Sequence, residues 1–164
     1  MRPSVRYTAH AALIAAMYAA LTHLQNILLP GSATWAIQFR ISEALCVLAL
    51  FTPAAIPGLT VGCFVFNLTY AGALPLDMLL GSLATLLAAL GMWYLRKYPW
   101  AALFLPALCN AILVGWELSL YLGGAFWLNA LYVAIGELTV LYTLGGVLFL
   151  SATKRGLAQR IFGQ

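Results

Sequence analysis

An arginine and a glutamate stand three residues apart in the stretch WAIQFRISEAL, Trp35 to Leu45, of a chain with very few charges. If that turn is helical, Arg40 and Glu43 fall on one side. There they pair with each other as a structural ion pair or with a bound solute. The remaining carboxylates are Asp77, Glu117 and Glu137, and the segments that hold the last two also carry Asn110 and Asn129. Carboxylates accept hydrogen bonds and carry charge, so the chemistry on offer is non-covalent capture of a cationic or donor-rich solute. No GxxxxGK[ST] phosphate loop, HExxH, GxSxG or paired nucleophile and base occurs. Cys46, Cys63 and Cys109 stand alone in apolar runs and read as core residues, without the spacing of a disulfide or metal framework. The chain is expected to be neither an enzyme nor an ATPase, and to need no cofactor or metal.

Those few polar groups must be positioned by apolar helices. Of the 164 residues, 64% are hydrophobic and 7% charged, against roughly 25% charged in a soluble domain. This is an all-α integral membrane composition, and at roughly 20 residues per span the length allows about six transmembrane helices in a single domain, residues 1–164. Six segments emerge: Tyr7 to Leu28, Ile41 to Phe51, Pro57 to Tyr70, Leu76 to Leu95, Ala101 to Tyr121 and Phe126 to Leu150, with breaks at Pro30-Gly31, Pro53, Gly72 to Pro75, Arg96 to Pro99 and Gly123-Gly124. The second and third are short and suggest tilted or broken helices over a cavity. Arg2 and Arg6, Arg96 and Lys97, and Lys154, Arg155 and Arg160 all fall on one side only if six spans are crossed, so both termini are expected in the cytoplasm. Trp93, Tyr94, Tyr98 and Trp100 then form an inner aromatic belt, and Trp35, Tyr121, Phe126 and Trp127 an outer one.

With that topology Arg40 is the only basic residue outside, and all four acids lie in the outer half or near the midplane. An ionisable group at a span centre costs at least ~2.5 kcal/mol, so such groups face a cavity, a partner or a ligand. An acidic, outward-open hollow is the simplest common explanation. By the 1.5 Å rise, Asn110 lies roughly 16 Å below the outer end of the fifth span and Glu117 roughly 6 Å, while Glu137 lies roughly 16 Å below the outer end of the sixth and Asn129 near it. Asn110 with Glu137, and Glu117 with Asn129, therefore form two tiers if these spans are neighbours. They line one pocket or they hydrogen-bond between helices and hold the bundle.

Other candidates are weaker. Asp77 follows Pro75 and reads as an N-cap or first-turn acid. Asn67 and Tyr70 either reach the outer cavity or are solvated or interhelical groups near a helix end, and Trp116, Tyr132 and Trp127 either stack on a planar solute or belong to the belt and core. His10 and His23, roughly 20 Å apart along one helix, read as interfacial. The first span carries alanines at 11, 12, 15, 16, 19 and 20, two smooth strips for close helix packing within the chain or against another subunit.

QFRISEAL (Gln38 to Leu45), FTPAAIPGLTVGC (Phe51 to Cys63), LDMLLGSLATLLAAL (Leu76 to Leu90), CNAILVG (Cys109 to Gly115) and LNALYVAIGELTVLY (Leu128 to Tyr142), in this order, resemble the QueT family of queuosine-precursor transporters. These look like substrate-binding S components of energy-coupling-factor (ECF) importers. The resemblance implies a six-helix S-component bundle of the bacterial plasma membrane that captures a 7-deazaguanine (preQ1, preQ0 or queuine) outside. It also implies partners: a transmembrane EcfT-like coupling subunit and two cytoplasmic ATPases. Docking through a small-residue AxxxA face maps onto Ala12, Ala16 and Ala20, with Ala11, Ala15 and Ala19 beside them. The first outer loop resembles a lid, with Arg40 donating to a ring acceptor and Glu43, Glu117 or Glu137 accepting from N–H groups. Two other classes compete: a small proton-coupled exporter of cations with Glu137 as proton site, and a membrane-embedded enzyme, for which no nucleophile and base can be paired.

Overall fold

The computed structural model describes residues 3–32, 37–154 and 156–162. Arg2, Trp35 and Arg155, used above for topology and the outer belt, lie outside the described residues. Every regular element described is helical: α1 (Pro3–Leu28), a 3₁₀ helix (Ile41–Leu50), α2 (Ala55–Thr69), α3 (Asp77–Tyr94), α4 (Pro99–Ala102), α5 (Phe104–Tyr121), α6 (Phe126–Val140), a π turn (Leu141–Gly145), α7 (Gly146–Lys154) and α8 (Leu157–Phe162). Four stretches are long and apolar enough to cross a membrane: Ser4–Leu28, Asp77–Tyr94, Pro99–Tyr121 and Phe126–Lys154. The 3₁₀ helix and α2 are apolar but shorter, as the breaks at Pro30-Gly31, Pro53 and Gly72 to Pro75 led us to expect.

The helices α1, α2, α3, α5 and α6 pack in chain order, each on the next. The 3₁₀ helix occupies the centre and touches α1, α2, α3, α6, the π turn and α7. Eight of its ten residues are buried, from Ser42 to Val47 and at Ala49 and Leu50. A 3₁₀ run of this length is uncommon, because its hydrogen bonds are poorer than those of an α-helix. Here packing on all sides supplies what the backbone geometry forfeits. The greater rise, roughly 2.0 Å per residue, lets ten residues span about 20 Å where an α-helix would span about 15 Å.

Small residues set the spacing of the bundle. A Cβ at Gly58 would lie 2.8 Å from the Ala11 carbonyl oxygen, and one at Gly62 2.8 Å from that of Ala15, so α1 and α2 approach backbone to backbone. On the other side, a Cβ at Gly115 would lie 2.8 Å from the Ala130 Cα, which brings α5 against α6. The turn between these two uses Gly123 and Gly124 at φ +76° and +86°, conformations that side chains resist. Gly145 in the π turn would place a Cβ 3.4 Å from Val47, so the wide turn is where the last span bears on the central 3₁₀ helix.

Candidate functional site

All four acidic residues of the chain are buried: Glu117 is 0% exposed, Glu43 and Glu137 1%, and Asp77 7%. Arg40, at 3%, is the one buried cation among the described residues. Burial of this kind needs compensation, and the carboxylates differ in how much they receive.

Glu43 is fully engaged. The Tyr18 hydroxyl of α1 donates to Oε1, and the Cys46 thiol, one turn on along the 3₁₀ helix, donates to Oε2 at 3.0 Å. One turn further along α1, the Thr22 and Ser42 hydroxyls are paired at 2.6 Å. Gln25 then holds the approach to the 3₁₀ helix: its amide donates to the Ser32 hydroxyl at 2.9 Å and to the Phe39 carbonyl, and its oxygen accepts from the Ile41 N–H at 2.8 Å. These contacts fasten the central helix to α1, so Glu43 has its acceptors occupied by protein. The Arg40 guanidinium reaches the Cys63 sulfur of α2 at 3.9 Å and stands 5.8 Å from the centre of the Phe66 ring. Its charge acts on Glu43 and Asp77.

Glu137 and Glu117 are different. Asn110 of α5 donates from Nδ2 to Glu137 Oε1 at 3.1 Å, joining two side chains that helical rise places at one depth. Glu137 Oε2 has no hydrogen-bond partner, and neither oxygen of Glu117 has one. The Asp77 carboxyl group and the Leu76 backbone N–H are the polar groups that act on Glu117. Asp77 itself follows the N-cap Leu76, and its Oδ2 accepts from the Leu74 N–H at 2.8 Å, a first-turn role. Asn67 donates to the Asp77 carbonyl at 2.9 Å and leaves its own Oδ1 unpartnered and buried. A buried polar atom without a partner costs about 1–3 kcal/mol, so these oxygens mark an interior arranged for something other than stability alone.

The second tier does not close as a pair. Asn129 spends its two amide hydrogens on the Ser119 hydroxyl and the Gly123 carbonyl, both at 3.0 Å, and so fastens the α5–α6 turn. The aromatic candidates face outward: Trp127 is 79% exposed and Trp116 48%, with Tyr132 half-buried. Tyr70 stacks on Phe66 at 5.2 Å. His23 bonds Thr69 at 2.8 Å, and His10 sits edge-on to Phe162 at 5.3 Å, both packing contacts between helices. Of the two alanine strips, Ala11, Ala15 and Ala19 are half-buried, with the first two against α2, while Ala12, Ala16 and Ala20 are exposed.

An outward-open hollow was expected, whereas the loop before Arg40 lies against the bundle. A Cβ at Gly136 would lie 2.3 Å from the Gln38 carbonyl oxygen, so the loop before Arg40 rests directly on α6 beside Glu137. Tyr18 and Gln25 had been passed over in the sequence. With Thr22 and Asn26 they form a buried polar line at helical spacing on an otherwise apolar span, and that spacing was a signal available from the start.

No curated protein and no solved structure matches the chain. The family model described as QueT transporter matches residues 8–154, which takes in every side chain of the candidate site. A multi-pass apolar helix bundle, with its ionisable groups turned inward and this match over most of its length, belongs to the QueT transporter family.

Proposed function

We propose that the chain is the substrate-capture subunit of an ECF-type importer, binding a queuosine precursor of the 7-deazaguanine class in the outer half of the bundle. The observation that carries this reading is the set of buried, unpartnered oxygens on Glu117, Glu137 and Asn67. A deazaguanine presents ring N–H and amino donors at its edge, and these oxygens are acceptors. In this reading Glu137, oriented by Asn110, accepts from the guanine-like edge, Arg40 donates to a ring acceptor, and the Gln38 loop resting on Gly136 is the closed lid. Glu43 and Asn129 contribute by holding the 3₁₀ helix and the α5–α6 turn, because their hydrogen-bonding groups are engaged with protein. Six spans with both termini in the cytoplasm place these acids toward the outside.

Uptake then requires a transmembrane coupling subunit and two cytoplasmic ATPases. The exposed strip Ala12, Ala16, Ala20 is the face we assign to docking, since the neighbouring strip is already packed on α2. Calorimetry on the purified chain should show saturable, ATP-independent binding of preQ1, preQ0 or queuine. No heat and no thermal shift with any of the three removes the reading. Ala16→Leu should leave that binding intact while abolishing uptake in cells that carry the partner subunits, and unchanged uptake would exclude the strip as the docking face.

A further inference from the structure

The two incompletely satisfied glutamates lie at different depths. Asn110, bonded to Glu137, precedes Glu117 by seven residues on α5, a displacement of about 10 Å along the helix. A bicyclic base hydrogen-bonded at both ends spans a distance of that order. The inner end offers one amide-oriented carboxylate. The outer end offers the Glu117 carboxyl group, with the Asp77 carboxyl group facing it and Asn67, whose Oδ1 has no partner, bonded to the Asp77 backbone carbonyl. Two carboxyl groups and an amide oxygen make this end rich in acceptors, and Glu117, 0% exposed, has no water-facing surface to offset its burial. Arg40 is the basic group whose charge reaches this end, and that same charge acts on Glu43, Asp77 and Glu137 as well.

We propose that Glu117, with Asp77 and Asn67 beside it, is a cation subsite that selects 7-deazaguanines bearing a primary alkylamine over those bearing a neutral substituent. This rests on the binding reading above and deepens it. An alkylammonium brings three donors and one positive charge, which matches an acceptor-rich end of the site where two carboxyl groups face each other. A nitrile at the same ring position has no donor, presents an acceptor to those oxygens, and gains nothing from them. Glu137 and Asn110 address the part of the base common to both compounds, so the two glutamates divide affinity and selectivity between them.

The test is calorimetric titration of the full-length protein in nanodiscs with preQ1, the aminomethyl compound, and preQ0, the nitrile, on wild type, Glu117→Gln, Glu117→Asp and Glu137→Gln. Glu117→Gln is expected to weaken preQ1 binding at least about tenfold while leaving preQ0 within about threefold, because only the charge-assisted contact is lost. Glu117→Asp, which keeps the charge, should retain the preference for preQ1. Glu137→Gln should weaken both ligands by similar factors. Equal losses for both ligands in Glu117→Gln, or no loss for preQ1, overturn the subsite while leaving the binding function standing. Failure of the wild type to bind either compound overturns both. An unchanged melting temperature of unliganded Glu117→Gln shows that lost binding is not lost folding.

Discussion

Glu43 and Glu117 are equally buried carboxylates in one helix bundle, yet one is saturated by the protein and the other receives no hydrogen bond from it. Glu43 sits on the central 3₁₀ helix, where Tyr18 and Cys46 supply donors to both oxygens. Glu117 sits on α5 opposite Asp77, a second carboxyl group instead of a donor such as Tyr18 or Cys46. Burial alone therefore says little about role. What separates a carboxylate that fastens helices together from one that does not is the account of its acceptors.

The sharpest way to break that contrast is to remove the saturated member. Glu43→Ala should destabilise the protein by about 2–4 kcal/mol, since it opens a cavity and orphans the Tyr18 hydroxyl in the same step. A melting temperature within a degree of wild type would show that Glu43 does not hold the 3₁₀ helix. Glu137, half satisfied, should respond the other way round. Glu137→Gln is expected to cost about 1.5–3 kcal/mol of ligand affinity, roughly tenfold to a hundredfold, with little change in melting. Affinity equal to wild type in titration would reduce Glu137 to a partner of Asn110. Asn129→Ala frees the Gly123 carbonyl and the Ser119 hydroxyl and should lower stability by about 1 kcal/mol without moving ligand affinity. A loss of binding at unchanged stability would return Asn129 to the site. The smallest effect is expected from Glu117→Gln on the unliganded protein, within about 0.5 kcal/mol of wild type or slightly stabilising, because neither Glu117 oxygen has a hydrogen bond to lose. A strong destabilisation there would mean that Glu117 has a structural partner and that the contrast with Glu43 is false.

Much of this arrangement was legible before any coordinates. The depth match of Asn110 and Glu137 followed from helical rise alone, and the two side chains do meet. The same arithmetic put Glu117 and Asn129 at one level, but there the turn at Gly123 and Gly124 captures the Asn129 amide first. Depth along a helix is a property of the chain, whereas the direction a short amide takes depends on which acceptor the neighbouring turn presents. The outward faces of Trp116 and Trp127 were equally open in the sequence, because an aromatic ring suits the apolar interior and the membrane boundary alike.

Composition and spacing by themselves determined an apolar helical bundle, the places where it breaks, the scarcity of its charges and the order of its family motifs. They did so because hydropathy and Pro or Gly punctuation act locally. Only the tertiary structure decided that the segment from Ile41 to Leu50 is the 3₁₀ centre of the bundle, that Ala11 and Ala15 are spent on α2 while Ala12, Ala16 and Ala20 stay exposed, and that Glu43 is answered while Glu117 is not. Each of those outcomes depends on which residues of distant helices come to lie opposite. A segment apolar on every side carries no periodicity from which that can be read.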